Sequence, residues 1–170
     1  MGKLNSNCFS RHKVHPIAAV EIEMSLWSTD ILHNDIAKTC AELQIPVIAY
    51  SPLGRGVLTG AVTSLADIPA GDIRHHLSRF QEENFKHNMK LINEVNDLAT
   101  RKGVASAQIA LAWILTQSKK PGMPTIIPIP GGTTKDKVVQ NMGGAQALTD
   151  SEMAEIEAIL EEHTVSGARY

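Results

Sequence analysis

The chain has 170 residues, with 16 Lys+Arg against 18 Asp+Glu, a formal net charge of −2, 43% hydrophobic residues and 20% charged residues. This composition is that of a globular chain rather than a disordered one. The near balance of charge argues against a nucleic-acid or membrane-surface partner, and no apolar run approaches the ~18 residues of a membrane-spanning helix. The N-terminal stretch MGKLNSNCFSRHKVHP has no apolar core of the secretory type. Cys8 and Cys40 form neither a CxxC nor a metal pattern, so a cytoplasmic chain with two free thiols is expected.

In chain order, residues 17–25 (IAAVEIEMS) predict a strand with Val20, Ile22 and Met24 on one face and Glu21, Glu23 and Ser25 on the other. Ser28 or Thr29 is placed to cap a helix carrying Ile31, Ile36, Cys40 and Leu43. Residues 45–50 (IPVIAY) read as a strand buried on both faces. It runs into the turn-rich Ser51-Pro52-Leu53-Gly54-Arg55-Gly56, with brief helical propensity near Val57–Thr59. Residues 61–82 show no clear period and are expected to form a long, functional connection. A helix follows through Leu91, Ile92, Val95, Leu98 and Ala99 and stops at Gly103. Another, capped by Ser106, carries Ile109, Ala110, Ala112, Trp113 and Leu115. TIIPIP (125–130) reads as a strand, although two prolines demote it from a central position. Gly131-Gly132-Thr133-Thr134 leads to a helix from Lys135 to Met142, and Thr149 with Glu152 opens a last helix through Met153, Ile156, Ile159 and Leu160. Strands separated by helical crossovers imply a parallel α/β sheet, with ligands beyond the strands' carboxyl ends.

Two segments share a chemistry. Each is a buried strand entering a glycine-containing turn beside a basic residue: Arg55 after the first, Lys135 and Lys137 after the second. Freed backbone N–H groups and a helix N-terminus suit a phosphate. The same glycines also serve simply to allow tight turns. The seven histidines make no metal pattern and read as surface residues. Glu21 and Glu23 read as the exposed face of a sheet, and Met24 and Trp27 as packing residues.

Three segments, VHPIAAVEIEMSLW (14–27), IPVIAYSPLGRGVLTG (45–60) and IIPIPGGTTKDKVVQN (126–141), resemble the C-terminal half of aldo-keto reductases. The resemblance covers residues 14–170 and leaves 1–13 poorly matched. Glu21, DIRHHLSRFQ and the terminal GARY make the chain most similar to the fungal pyridoxal reductases. The resemblance implies strands six to eight, with their helices, of an incomplete (β/α)8 TIM barrel, a fold that typically needs ~250 residues. It implies NADPH (NADP) as cofactor without a Rossmann motif. Tyr50 matches the residue stacking on the nicotinamide, and Ser51, Pro52, Leu53, Gly54 and Arg55 match the pyrophosphate segment. Gly131, Gly132 and Thr133 match the loop near the adenosine phosphate, Lys137 the grip on the 2′-phosphate, and Gln140 and Asn141 the adenine-binding pair.

Glu21 stands where most members carry a glutamine to the nicotinamide carboxamide, and an ionised Glu accepts from that amide without donating to it. Gly131–Thr134 carry no charge where many members are basic, which leaves the phosphate to Lys135 and Lys137. In a closed barrel Glu21 and Glu23 would face the interior.

The family's catalytic Asp, Tyr, Lys and His lie upstream of the matched part, so the expectation is a C-terminal fragment with cofactor contacts and no catalytic residue. Three strands of a barrel leave two open edges and an unfilled interior face, to be covered by a missing N-terminal half or a second copy. Three readings stay open. One is the cofactor half of a pyridoxal reductase-like enzyme acting on a small carbonyl substrate. Another is a non-catalytic NADP(H)-binding or interaction module, in the manner of potassium-channel β subunits. The last is a structural fragment.

Overall fold

The structure is a computed structural model and describes residues 10–143 and 146–169. Cys8 and Tyr170 therefore lie outside the described residues. The sheet has the order β1 (Val20–Glu23), β2 (Val47–Tyr50), β3 (Ile126–Pro128). Both pairings are parallel, with Val20 opposite Val47 and Val47 opposite Ile126.

The register sorts the side chains into two faces. Val47, Ala49 and Ile126 are buried beneath the helices. On the opposite face Glu21 is exposed, and Ile127 and Ile129 remain 45% and 46% exposed. A parallel sheet ordinarily has both faces covered; among the described residues the second face of this one is open except at its carboxyl end, where Glu23 is buried. Pro128 is accommodated because β3 lies at the edge of the described sheet. The ladder resumes one residue later, where the Ile129 N–H donates to the Ala49 carbonyl at 3.0 Å.

α1 (Ile36–Glu42) begins later than the Ser28/Thr29 pattern predicts. Residues Asp30–Leu32 instead form a 3-10 turn, and Asp35, in the left-handed region at φ 63°, precedes the helix. Ser28 spends its hydroxyl on the Asp30 carboxylate at 3.2 Å, a local bond that competes with capping. The predicted strand 17–25 contracts to Val20–Glu23, although Met24 and Ser25 stay fully buried beyond it.

α2 (Glu82–Lys102) buries Phe85, Leu91, Ile92, Val95, Leu98 and Ala99, the stripe expected of a 3.6-residue period. Gly103 ends it at φ 69°, donating to the Ala99 and Thr100 carbonyls. α3 (Ser106–Gln117) is buried nearly all round, Trp113 completely. Its N-cap is Ala105 rather than Ser106, because the Gln108 side chain reaches back to the Ala105 N–H at 3.0 Å. The Ser106 hydroxyl instead donates to Asn96 of α2 at 2.6 Å, tying the two helices together. α4 (Lys135–Gly143) has no buried residue.

α5 (Asp150–Glu162) opens with the predicted capping box, in which the Glu152 N–H donates to Thr149 Oγ1 and the Thr149 N–H to the Glu152 carboxylate. The same carboxylate pairs with Lys102, and that bond is the main reason its pKa falls below the usual carboxylate range. Removing the cap oxygen, as in Thr149→Ala, is expected to cost about 1 kcal/mol in a denaturant melt.

Candidate cofactor site

The two glycine-containing turns lie side by side at the carboxyl ends of β2 and β3. After β2 the chain makes a 3-10 turn, Gly54–Thr59, interrupted at its start. Ser51, Gly54, Arg55 and Gly56 all have positive φ, at 48°, 57°, 58° and 97°. Glycine suits position 54: a Cβ there would crowd Val57 at 3.0 Å and Trp27 at 3.2 Å on a left-handed backbone. Ser51 and Arg55 hold left-handed conformations without that freedom, and strain of this kind gathers at ligand sites. The turn is closed by the Gly54 N–H to the Ser51 carbonyl at 2.9 Å and by Thr59 Oγ1 donating to the Gly56 carbonyl at 2.7 Å.

The connection 61–82, which carries no sequence period, is ordered as three short 3-10 turns, Leu65–Asp67, Ile73–His76 and Ser78–Phe80. Arg74 binds it to the site. Its guanidinium donates to both Asp72 carboxylate oxygens, at 3.0 and 2.9 Å, and across to the Arg55 carbonyl at 3.1 Å. The Arg74 side chain and N–H hold the Asp72 carboxyl at about 2. A depressed carboxylate stabilises the fold above its ordinary pKa and loses that contribution as pH falls through the folded value. The clasp is therefore expected to release between roughly pH 4 and pH 2. Amide exchange at Arg74 should accelerate over that window, and Asp72→Asn should abolish the acid step.

After β3, Gly131–Thr134 run exposed into α4. Asn141 Nδ2 donates to the Gly131 carbonyl at 3.2 Å, Lys137 Nζ lies 3.4 Å from Thr133 Oγ1, and Gln108 Nε2 donates to the Gln140 carbonyl at 3.2 Å. Between the turns lies a cavity of about 610 Å3. Of the predicted residues, Ser51, Pro52, Leu53, Arg55, Gly131, Lys137, Gln140 and Asn141 line it.

The other predicted residues lie outside its wall. Gly54 is buried behind the turn, and Thr133 is held by Lys137. Gly132 faces an apolar groove with Val138, and Glu21 is exposed on the open sheet face. Tyr50 sits half-buried at the end of β2.

Two features escape the sequence reading. Arg74 joins Arg55 and Lys137 as a third cation on the cavity wall, and no carboxylate lines it. The only sequence signal for it is the Asp72-x-Arg74 spacing. The other is the Glu23–Arg169 pair: Glu23 is 2% exposed, against the exposed-face reading and in keeping with the interior placement the resemblance implies, and it pairs with Arg169 at 2.7 Å. Among the described residues no cluster of His, Cys, Asp and Glu is suited to hold a metal ion, and no helix is long and apolar enough to cross a membrane. Cys40 is buried in the core.

The sequence profile described as the Aldo/keto reductase family matches residues 3–161. The chain belongs to the aldo/keto reductase family. A Saccharomyces cerevisiae protein described as "Putative pyridoxal reductase" is 43% identical over 162 aligned residues, which cover 91% of this chain and 47% of that protein. The glycerol dehydrogenase AKR11B4 of Gluconobacter oxydans superposes with a TM-score of 0.78 at 25% identity, over 99% of this chain and 49% of its own. A thermostable aldo-keto reductase, Tm1743, shares the fold at a TM-score of 0.55 and 19% identity, covering 85% of this chain and 40% of that one. The chain thus spans about half the length of the relatives it matches.

Proposed function

We propose that the chain is the cofactor-binding half of an NADPH-dependent carbonyl reductase of the pyridoxal reductase type, working in the cytoplasm on a small aldehyde such as pyridoxal. The observation that carries the reading is the cavity shared by the two strand-end turns, walled by Arg55 and Lys137, with Arg74 clasped by Asp72 against the Arg55 turn. A pyrophosphate and a 2′-phosphate need such a donor set. When bound, the dinucleotide supplies hydride to a carbonyl carbon.

The chain's own residues bind and orient it. Ser51, Pro52, Leu53, Gly54 and Arg55 present a strained backbone and a cation to the pyrophosphate. Gly131, Gly132 and Thr133 let the chain approach the adenosine phosphate closely, and Lys137, with Lys135 beside it, supplies the charge for the 2′-phosphate. Gln140 and Asn141 offer polar edges to adenine. Tyr50 gives the nicotinamide a ring to stack on, and Glu21 accepts from its carboxamide.

The family's proton donor and its partners have no counterpart in the matched motifs, so these 170 residues bind the cofactor without reducing a carbonyl. The open sheet face, with Ile127 and Ile129 half exposed, fits the reading that further barrel strands cover it. They would come from an N-terminal half or from another copy.

Nucleotide competition tests the phosphate reading. Bound NADPH, followed by its fluorescence, should be displaced by 2′,5′-ADP at a concentration about tenfold below that needed for 5′-AMP, the worth of one charge-assisted contact. Equal displacement by the two would remove the 2′-phosphate role of Lys137.

A further inference from the structure

The segment after α5 runs back across the carboxyl ends of the strands as a strap. His87 Nε2 donates to the Thr164 carbonyl at 2.9 Å. The Ser166 N–H donates to Asn88 Oδ1 at 2.7 Å, and Asn88 Nδ2 returns a bond to the Ser166 carbonyl at 3.0 Å. The Ala168 N–H donates to Ser78 Oγ at 3.1 Å. The strap delivers Arg169 to the ends of β1 and β2. There Nε donates to Glu23 Oε2 at 2.7 Å and Nη2 donates to the Tyr50 hydroxyl at 2.9 Å.

Glu23 and Tyr50 are register partners, so their side chains leave the same face of adjacent strands. Burying a carboxylate is costly unless a cation answers it, and Glu23 is 2% exposed. The planar guanidinium answers it with one edge and reaches the phenol with another, which an ammonium on a flexible stem does less well.

We propose that Arg169 is a positioning residue for Tyr50. Anchored by Glu23 and the strap, it fixes the pitch of the ring that receives the nicotinamide. This rests on the cofactor reading above. Arg169 acts through the ring and not on the adenosine end, which the wall containing Lys137, Gln140 and Asn141 holds independently. Losing it therefore weakens one end of the ligand selectively, and a general loss of structure would not do so.

The test is the binding of NADPH and of 2′,5′-ADP, which lacks the nicotinamide, to the full chain and its variants. Arg169→Ala is expected to weaken NADPH about tenfold, the worth of one charge-assisted hydrogen bond, and to leave 2′,5′-ADP unchanged. Arg169→Lys should recover part of the loss. Because Arg169→Ala strands a buried carboxylate, the double variant Glu23→Gln/Arg169→Ala supplies the same reading in a chain relieved of that charge. Equal weakening of both ligands, or none for NADPH, overturns the proposal.

If the parent chain binds neither nucleotide, the cofactor reading fails, and proton NMR of the Tyr50 ring decides the positioning role. With Tyr170→Phe as background, Tyr50 is the sole tyrosine. Its ring signals should shift and its flipping should quicken when Arg169 is removed. Ring signals unchanged by that removal overturn the proposal with or without a cofactor.

Discussion

Trp113→Ala is expected to lower the stability of the chain by about 3–5 kcal/mol, against roughly 5–15 kcal/mol for a whole domain. Trp113 is fully buried in α3, which has the most buried residues of the described helices. Its indole Nε1 is buried with no hydrogen-bond partner among the described residues. An unmet buried donor already costs about 1–3 kcal/mol. Trp113→Phe removes that donor while keeping most of the ring, so it should cost far less than the alanine variant. Paired denaturant melts check both. Equal losses for Phe and Ala would mean that the N–H is bonded and that the volume argument is wrong.

Lys137→Ala is expected to weaken NADPH binding by about 10- to 100-fold while leaving NADH nearly unchanged, from the loss of about 1.5–3 kcal/mol of hydrogen bonding to a charged group. The position is suited to this selectivity. Lys137 stands on the exposed first turn of α4 beside Thr133, and its side chain pairs with no carboxylate among the described residues. Gly131–Thr134 offer no second charge to substitute for it, although Lys135 is near in sequence. Arg55 belongs to the other wall, its turn braced by the Arg74–Asp72 clasp, and should hold the pyrophosphate in both nucleotides. Titration of the variant with each nucleotide measures the ratio. Parallel losses for NADPH and NADH would move Lys137 from the 2′-phosphate to a general electrostatic role.

The sequence carries the parts of this fold that depend on short spacings. The stripe on α2, the Gly103 stop, the Thr149–Glu152 box and the two glycine turns all follow from residues within one or two turns of each other. Pro128, which weakens the case for a strand, sits in β3, the outer strand of the three described. What the sequence conceals depends on tertiary partners. Whether Glu23 is exposed depends on Arg169, 146 residues away, and the alternation that places Glu21 in solvent looks the same at Glu23. The Arg74 clasp joins a connection without periodicity to a carbonyl 19 residues earlier. Ser28 and Ser106 look like caps because their hydroxyls suit the role, but Asp30 and Asn96 take those hydroxyls in the folded chain. The candidate site is similarly divided. Its two walls are each legible as a turn, whereas their meeting in one cavity is a product of the parallel register between β2 and β3.

The central claim is that these 170 residues hold the cofactor grip of a carbonyl reductase and not its proton donor. It is tested most directly by titrating the purified chain with NADPH by fluorescence and then adding pyridoxal to the saturated sample. The account predicts saturable binding followed by no consumption of NADPH beyond a heat-killed control. Absence of saturable binding, or consumption that depends on pyridoxal, would contradict it.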